Sequence, residues 1–244
     1  MNVNVKTART AGVLYLIIIV MGIFAQFVVR ESLIEPGDAT ATADNIIASE
    51  GLFRLSIAAD FLMILADVAI GLLFYVLLKP VNNGLALLAA FFRLAQATTL
   101  GINLLNPLFA LVLIKRADYV TGINVEEANA LASMFLDGHA IGYRIALVFF
   151  GLSILVLGHL LTQSGYFPKV LGYGMMGAAA GYLTDSFAYF LLSNYADYET
   201  TLSAVVFAPA IISELALCLW LLVKGVNVQK FATLKAAQAD MVGA

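Results

Sequence analysis

The chain has 244 residues, 62% of them apolar and only 12% charged, with a net charge of −3 and a mean hydropathy of +0.94. A soluble domain averages about half apolar and about a quarter charged, so the composition excludes a disordered chain, a nucleic-acid binder and an ordinary cytosolic enzyme. The single cysteine, Cys218, excludes an intramolecular disulfide framework and a cysteine-based zinc site.

These numbers describe an all-α polytopic membrane helix bundle, read as a single integral-membrane domain over residues 1–244. Crossing about 30 Å of hydrocarbon takes roughly 20 mostly apolar residues. Six stretches of that length predict transmembrane helices at about 11–29, 55–78, 85–114, 139–161, 170–192 and 202–223.

The first stretch is longer than the apolar region of a secretory signal, and no small-x-small cleavage site precedes Arg30, so a retained anchor is expected. A connecting segment over 30–54 follows. It contains the turn signal Pro36-Gly37-Asp38 and a helix-compatible run from Thr42 into the second span. That span carries Asp60 and Asp67, seven residues apart and therefore on one helix face.

The third stretch exceeds what a span requires and is expected to tilt, project, or break near Asn106-Pro107. Its Arg93, Gln96, Asn103 and Asn106 form one polar stripe at about 100° per residue. Pro107 lacks an N–H and frees the carbonyl of Asn103. In the next connection, 115–138, Asn124 is positioned to cap a helix with Glu127 as its capping-box partner. Ala128, Leu131, Ala132 and Phe135 then share a face, as in a short helix lying along the outer interface.

The fourth stretch holds His139, Arg144 and His159. The fifth holds Gly174, the small-residue run Gly177-Ala-Ala-Ala-Gly181, which predicts close helix packing, and Asp185. The sixth holds Pro209 and Glu214. Tyr15, Tyr75, Tyr173, Tyr195, Tyr198 and Trp220 fall mostly near span ends, where interfacial anchors are expected.

Charge sets the orientation. With a cytoplasmic N-terminus, the inner segments hold Lys6, Arg9, Lys79, Lys169, Lys224, Lys230 and Lys235, and the outer ones only Arg30, Arg54, Lys115 and Arg116. A basic excess inside is the usual rule, so both termini are placed in the cytoplasm. Most acids, including Glu50, Asp118 and Glu127, fall outside, and Asp240 alone falls inside.

Ionisable groups within spans carry the functional information, because each costs about 2.5–3.5 kcal/mol at a helix centre. Depths at about 1.5 Å per residue predict an Asp67–Arg93 pair. They also place Asp60, Arg144 and Asp185 in one shared layer nearer the outer side. Four carboxylates (Asp60, Asp67, Asp185, Glu214) against Arg93 and Arg144 leave a deficit of two positive charges. At least one acid, Glu214 foremost, is therefore expected to be neutral, unless Arg54 snorkels inward. A neutral acid serves either as a proton relay or as a static hydrogen-bond donor.

His139 and His159 are 20 residues apart, about 30 Å along a helix, so they cannot share one metal ion. Walker, Rossmann, nucleophile-elbow and zincin motifs are absent from the sequence. No cofactor is expected.

Several stretches are familiar together: Ala8-Arg-Thr-Ala-Gly-Val-Leu-Tyr15, Pro36-Gly-Asp38, Ser49-Glu-Gly-Leu-Phe-Arg54, Tyr75-Val-Leu-Leu-Lys-Pro-Val-Asn82, Gly181-Tyr-Leu-Thr-Asp-Ser-Phe187, Pro209-Ala-Ile-Ile-Ser-Glu214 and Leu219-Trp-Leu-Leu-Val-Lys-Gly225. From about Lys6 to Asn227 the chain resembles a family of bacterial integral-membrane proteins catalogued as domain of unknown function four-three-eight-six. The resemblance implies a one-domain, multi-pass protein of a bacterial cytoplasmic membrane and supplies no catalytic residues.

Three readings of function follow. The polar layer (Asp60, Asp67, Arg93, Gln96, Asn103, Asn106, His139, Arg144, Asp185 and Glu214) binds or passes a small solute, lipid or proton. Alternatively, the protein is a non-catalytic membrane component acting through a partner. A membrane-embedded enzyme is the third. The expected surroundings are the lipid bilayer, without nucleic acid.

Overall fold

The computed structural model describes residues 3–115 and 122–242. Arg116 and Asp118, expected on the outer side, lie outside the described residues, as does the side chain of Asp240. Among the described residues every regular element is helical: α1 (Val3–Ile23), a π-helical segment (Phe24–Arg30) running into α2 (Glu31–Leu33), α3 (Ala39–Ala48), α4 (Glu50–Leu78), α5 (Asn83–Asn103), α6 (Leu105–Lys115), α7 (Val125–Gln163), α8 (Lys169–Leu191), a 3₁₀ turn (Tyr195–Asp197), α9 (Glu199–Val223) and α10 (Val228–Val242).

Five stretches are long and apolar enough to cross a membrane: Val5–Leu33, Glu50–Leu78, Asn83–Lys115, Val125–Gln163 and Glu199–Val223. The expected fifth span, α8, has 23 residues but is not among them, because its glycines, tyrosines and Asp185 dilute its apolar residues. Large apolar side chains point outward along the spans, with Leu65 65%, Ile102 65% and Ile212 68% exposed. In water such faces would associate; in lipid they are solvated.

Element boundaries depart from expectation at the end of the first span and the start of the fourth, while the expected break near Pro107 forms. The first helix does not stop at Val29. It continues through the π-helical segment, where the Glu31 N–H reaches the Gln26 carbonyl five residues back, and this keeps Arg30 on a buried face. The third stretch breaks at Leu104, three residues before Pro107, as the missing N–H requires. The capping box at Asn124 forms in both directions, with Glu127 N–H donating to Asn124 Oδ1 (2.9 Å) and Asn124 N–H to Glu127 Oε2 (3.0 Å). What it starts, however, is not a separate interfacial helix but the 39-residue α7, about 58 Å long. Ala128 and Ala132 are buried, whereas Leu131 is exposed.

Two compact units are distinguished. Residues 1–16, 66–96 and 146–244 form the first, and 17–65 and 97–145 the second. In the first unit, helices approach at glycines. A Cβ at Gly172 on α8 would stand 2.5 Å from the Gly158 carbonyl oxygen of α7, and one at Gly158 2.7 Å from the Gly172 carbonyl oxygen. On its other side α8 meets α9, where Gly174 faces Ser213 and Gly181 faces Val206, while a Cβ at Gly177 would meet nothing. The small-residue face is thus Gly174–Gly181, with Gly172 serving α7, rather than Gly177–Gly181. Tyr166, in the loop before α8, donates to the Leu77 carbonyl at 2.6 Å. Burial raises its phenol above the ordinary tyrosine range, which keeps that donor protonated.

The second unit is built on an apolar cluster that includes Val29, Ile46, Phe53, Leu111, Ala132 and Leu136, and α3 packs against α6. Where the larger of these side chains leave water, each contributes roughly 1.5–3 kcal/mol. Where they leave lipid, only the packing gain remains. Asp38 caps α3 by accepting the Ala41 N–H at 2.9 Å, directly after the turn read at Pro36-Gly37.

The glycine contacts give the first test. Gly172→Ala should lower the thermal midpoint in detergent, by an equivalent of about 1–3 kcal/mol for overpacking. Gly177→Ala should be neutral or raise it slightly, since alanine is the better helix former by about 1 kcal/mol.

Candidate functional site: two buried polar centres

Hydrocarbon offers polar side chains no hydrogen bonds, so each must find a partner on another helix. In the first unit this condition assembles Tyr15 (α1), Asp67 (α4), Arg93 and Gln96 (α5), Tyr182 (α8) and Glu214 (α9). The expected Asp67–Arg93 pair forms. Arg93 Nε donates to Asp67 Oδ1 at 2.7 Å, Nη2 lies 2.6 Å from the same oxygen, and Gln96 Nε2 donates to Oδ2 at 3.0 Å. The guanidinium sits 4.8 Å from the Phe150 ring centroid and 5.8 Å from that of Tyr15, within reach of cation–π attraction.

Glu214 has a different environment. Tyr182 donates to its Oε1 at 2.7 Å and Tyr15 to its Oε2 at 3.3 Å. Phe150 and Phe207 set edges against the Tyr182 ring, and Phe74 against Tyr15, so both phenols are held in place. No lysine, arginine or histidine among the described residues lies within 4.0 Å of the carboxyl group. Arg93 Nη1 and Nη2 and Gln96 Oε1 are buried without a hydrogen-bond partner among the described residues, Nη2 meeting Asp67 only as an ion-pair contact. Beside Arg93 is a cavity of about 10 Å³, lined also by Gly71, Leu78, Ala86 and Ser153, about the size one water needs. Elsewhere in this unit, Asp185 accepts the Tyr195 hydroxyl at 2.8 Å.

The second unit holds a separate centre. Asp60 is gripped by Arg30 through a two-pronged fork, Nη1 to Oδ2 at 2.6 Å and Nη2 to Oδ1 at 3.3 Å, while Nε donates to Gln26 at 3.0 Å. On other helices of this unit, Asn103 Nδ2 donates to the His139 carbonyl at 2.9 Å and lies 3.1 Å from His139 Nδ1. Asn106 Nδ2 donates to Asn103 Oδ1 at 2.8 Å. The Asn103 carbonyl freed by Pro107 has His139 Nδ1 at 3.5 Å. With Nδ1 accepting from Asn103, the neutral ring carries its proton on Nε2, an atom buried without a partner among the described residues. A Cβ at Gly142 would collide with the Asn103 amide, so glycine there admits the asparagine.

Three expectations are corrected here. Arg30, read as part of an outer connection, is 3% exposed and is the cation that holds Asp60; Arg144 is half-buried on α7. Arg54 does not snorkel inward but is exposed and pairs with Glu50 four residues earlier, at 2.7 Å. Tyr15 and Tyr195, read as interfacial anchors, are buried hydrogen-bond donors to carboxyl groups. Arg30, Tyr15 and Tyr182 are the site residues that sequence reasoning missed. Gln26, one helical turn before Arg30, signalled that the helix continues, and a tyrosine hydroxyl inside a span itself requires a partner. The polar stripe on the third stretch divides: Arg93 and Gln96 serve the first unit, Asn103 and Asn106 the second. Among the described residues no three histidine, cysteine or acidic side chains converge as metal ligands.

The family model described as "Domain of unknown function (DUF4386)" matches residues 10–225, which include both polar centres. A relative from Archaeoglobus fulgidus, described as an uncharacterized protein, is 29% identical over 170 residues, covering 70% of this chain and 83% of its own length. No solved structure matches the chain.

The Arg30–Asp60 fork is tested by a double-mutant cycle. Asp60→Asn and Arg30→Gln should each cost about 3–5 kcal/mol, because each strands a buried charge. The double variant should lose far less than the sum, as measured by thermal or denaturant unfolding in detergent.

Proposed function

The chain belongs to the DUF4386 family, and for it we propose a multi-pass protein of a bacterial cytoplasmic membrane in which Glu214 takes up and releases a proton. α8 supplies the sixth span; its 23 residues reach about 34 Å, and Val170 and Leu191 at its ends are 71% and 77% exposed. Both termini lie in the cytoplasm, on the side richer in lysine and arginine.

The observation that carries this reading is the pair of phenols on Glu214, one from α1 and one from α8, each on its own carboxyl oxygen. A phenol both donates and accepts, so a proton on the carboxyl group has two ready neighbours. Arg93, Asp67, Tyr15 and Tyr182 are the charged and titratable groups around it. Arg93 is taken by Asp67, which leaves the cluster one carboxyl group in excess of its cations. A proton on Glu214 balances it.

The small cavity beside Arg93 is lined by Leu78 and Ala86, within a few residues of the α4–α5 loop. A cavity of about one water favours a proton over a solute or lipid as the transferred species. The Arg30–Asp60 fork, with both carboxylate oxygens occupied, acts as a fixed tie between α4 and the end of the first span.

Infrared difference spectra of the protein in lipid, between acid and alkaline buffer, test the proposal. A carbonyl-stretch band of a protonated, buried carboxylic acid should appear and disappear with pH and be lost in Glu214→Gln, with Tyr182→Phe shifting its frequency. A spectrum with no Glu214-dependent change across that range would refute proton exchange at this site.

A further inference from the structure

At the end of the first unit where α9 turns into α10 lies a groove of about 370 Å³, lined by Tyr166, Phe167, Trp220, Lys224, Val226 and Lys230 among others. Its walls are set by the chain. Gly225, at φ +67°, reverses the backbone after α9, and Trp220 Nε1 donates to its carbonyl at 3.1 Å. Gly165, at φ +69° with no atom within 4 Å of its Cβ position, leaves the opposite rim low. Tyr166 lies between Phe167 and Phe231 in tilted and edge-on contacts, with centroids 5.3 and 5.2 Å away, and the Asn227 N–H donates to the Tyr166 carbonyl.

The groove joins two kinds of surface. Tyr166, Phe167 and Val226 on its floor are buried and Trp220 is half-buried, whereas Lys224 and Lys230 are exposed and no acidic residue among the described ones lines it. α1 reaches the same place, since Val5 and Ala8 stand 3.6 and 3.7 Å from the Cβ position of Gly225; Lys6 and Arg9 therefore add positive charge nearby. A tryptophan at the end of a span lies at headgroup depth. The anion found at that depth is the phosphate of a lipid, and basic residues there attract anionic lipid at about 1 kcal/mol each.

We infer that this groove is a binding site for a phosphate anion, with Lys224 and Lys230 on the phosphate and the Trp220–Tyr166 wall beside the apolar part of an anionic phospholipid. The reading does not depend on proton exchange at Glu214. It assigns the α9–α10 turn to lipid recognition and makes the site selective for headgroup charge.

Trp220 is the only tryptophan of the chain and so reports on the groove directly. The full chain is reconstituted in phosphatidylcholine vesicles containing a minor fraction of brominated phosphatidylglycerol or, in parallel, brominated phosphatidylcholine. The phosphatidylglycerol should quench Trp220 at a mole fraction about 25-fold lower, with about fivefold of that preference lost in each of Lys224→Gln and Lys230→Gln. Lys235→Gln, outside the groove, should keep the preference. Inorganic phosphate added to unbrominated phosphatidylcholine vesicles separates the two sources of the anion. A change in Trp220 emission that requires both lysines, without a lipid preference, would identify a soluble phosphate as the ligand. Equal quenching by the two lipids with no response to phosphate would overturn the site. A preference lost equally in Lys235→Gln would also overturn it, leaving only a diffuse basic surface.

Discussion

A charge inside hydrocarbon must be met by another group of the protein, because the solvent there supplies none. That constraint orders the chain more strongly than hydrophobic burial, since lipid solvates the apolar faces as well as another helix does. Arg93 with Asp67 and Arg30 with Asp60 each bridge two elements, and removing one member leaves a buried charge that the membrane cannot stabilise. The helices are held by such ties and by glycine contacts such as Gly158–Gly172, with much of the apolar side-chain surface turned outward.

The two polar centres differ in what their geometry permits. Around Asp60 both carboxylate oxygens receive the guanidinium fork and Gln26 occupies the remaining arginine nitrogen on that side, so the arrangement is closed. Around Glu214 the partners are hydroxyls, which can donate to the carboxyl group or accept from it. Arg93 links the two kinds of chemistry: bound to Asp67 through Nε and Nη2, enclosed by Phe150 and Tyr15, and open at Nη1.

Much of this was legible in the sequence. Span length and apolarity located five membrane-length helices, though not the start of α7, and the depth of Asp67 and Arg93 identified their pairing. The Asn124–Glu127 cap and the break ahead of Pro107 were also readable, because both follow from local backbone hydrogen bonding. What escaped was non-local or turned on a change of helical winding. A π-helical segment rotates the face on which Arg30 lies, and nothing in its apolar flanks reveals that rotation, so Asp60 was matched by depth with Arg144. Tyr15 and Tyr182 were hidden because tyrosine near a span end reads as an interfacial anchor; only the position of Glu214 on a third helix makes them donors. The span count was limited by α8, whose glycines serve close packing and thereby lower its apolarity.

Opposite charges in the spans hold the helices because each neutralises the other. This neutralisation is tested most directly on Asp67 and Arg93, by unfolding Asp67→Asn, Arg93→Gln and the double variant in the same lipid–detergent mixture. The account predicts that each single substitution costs about 3–5 kcal/mol and that the double variant regains more than half of the summed loss. Strictly additive losses would contradict it.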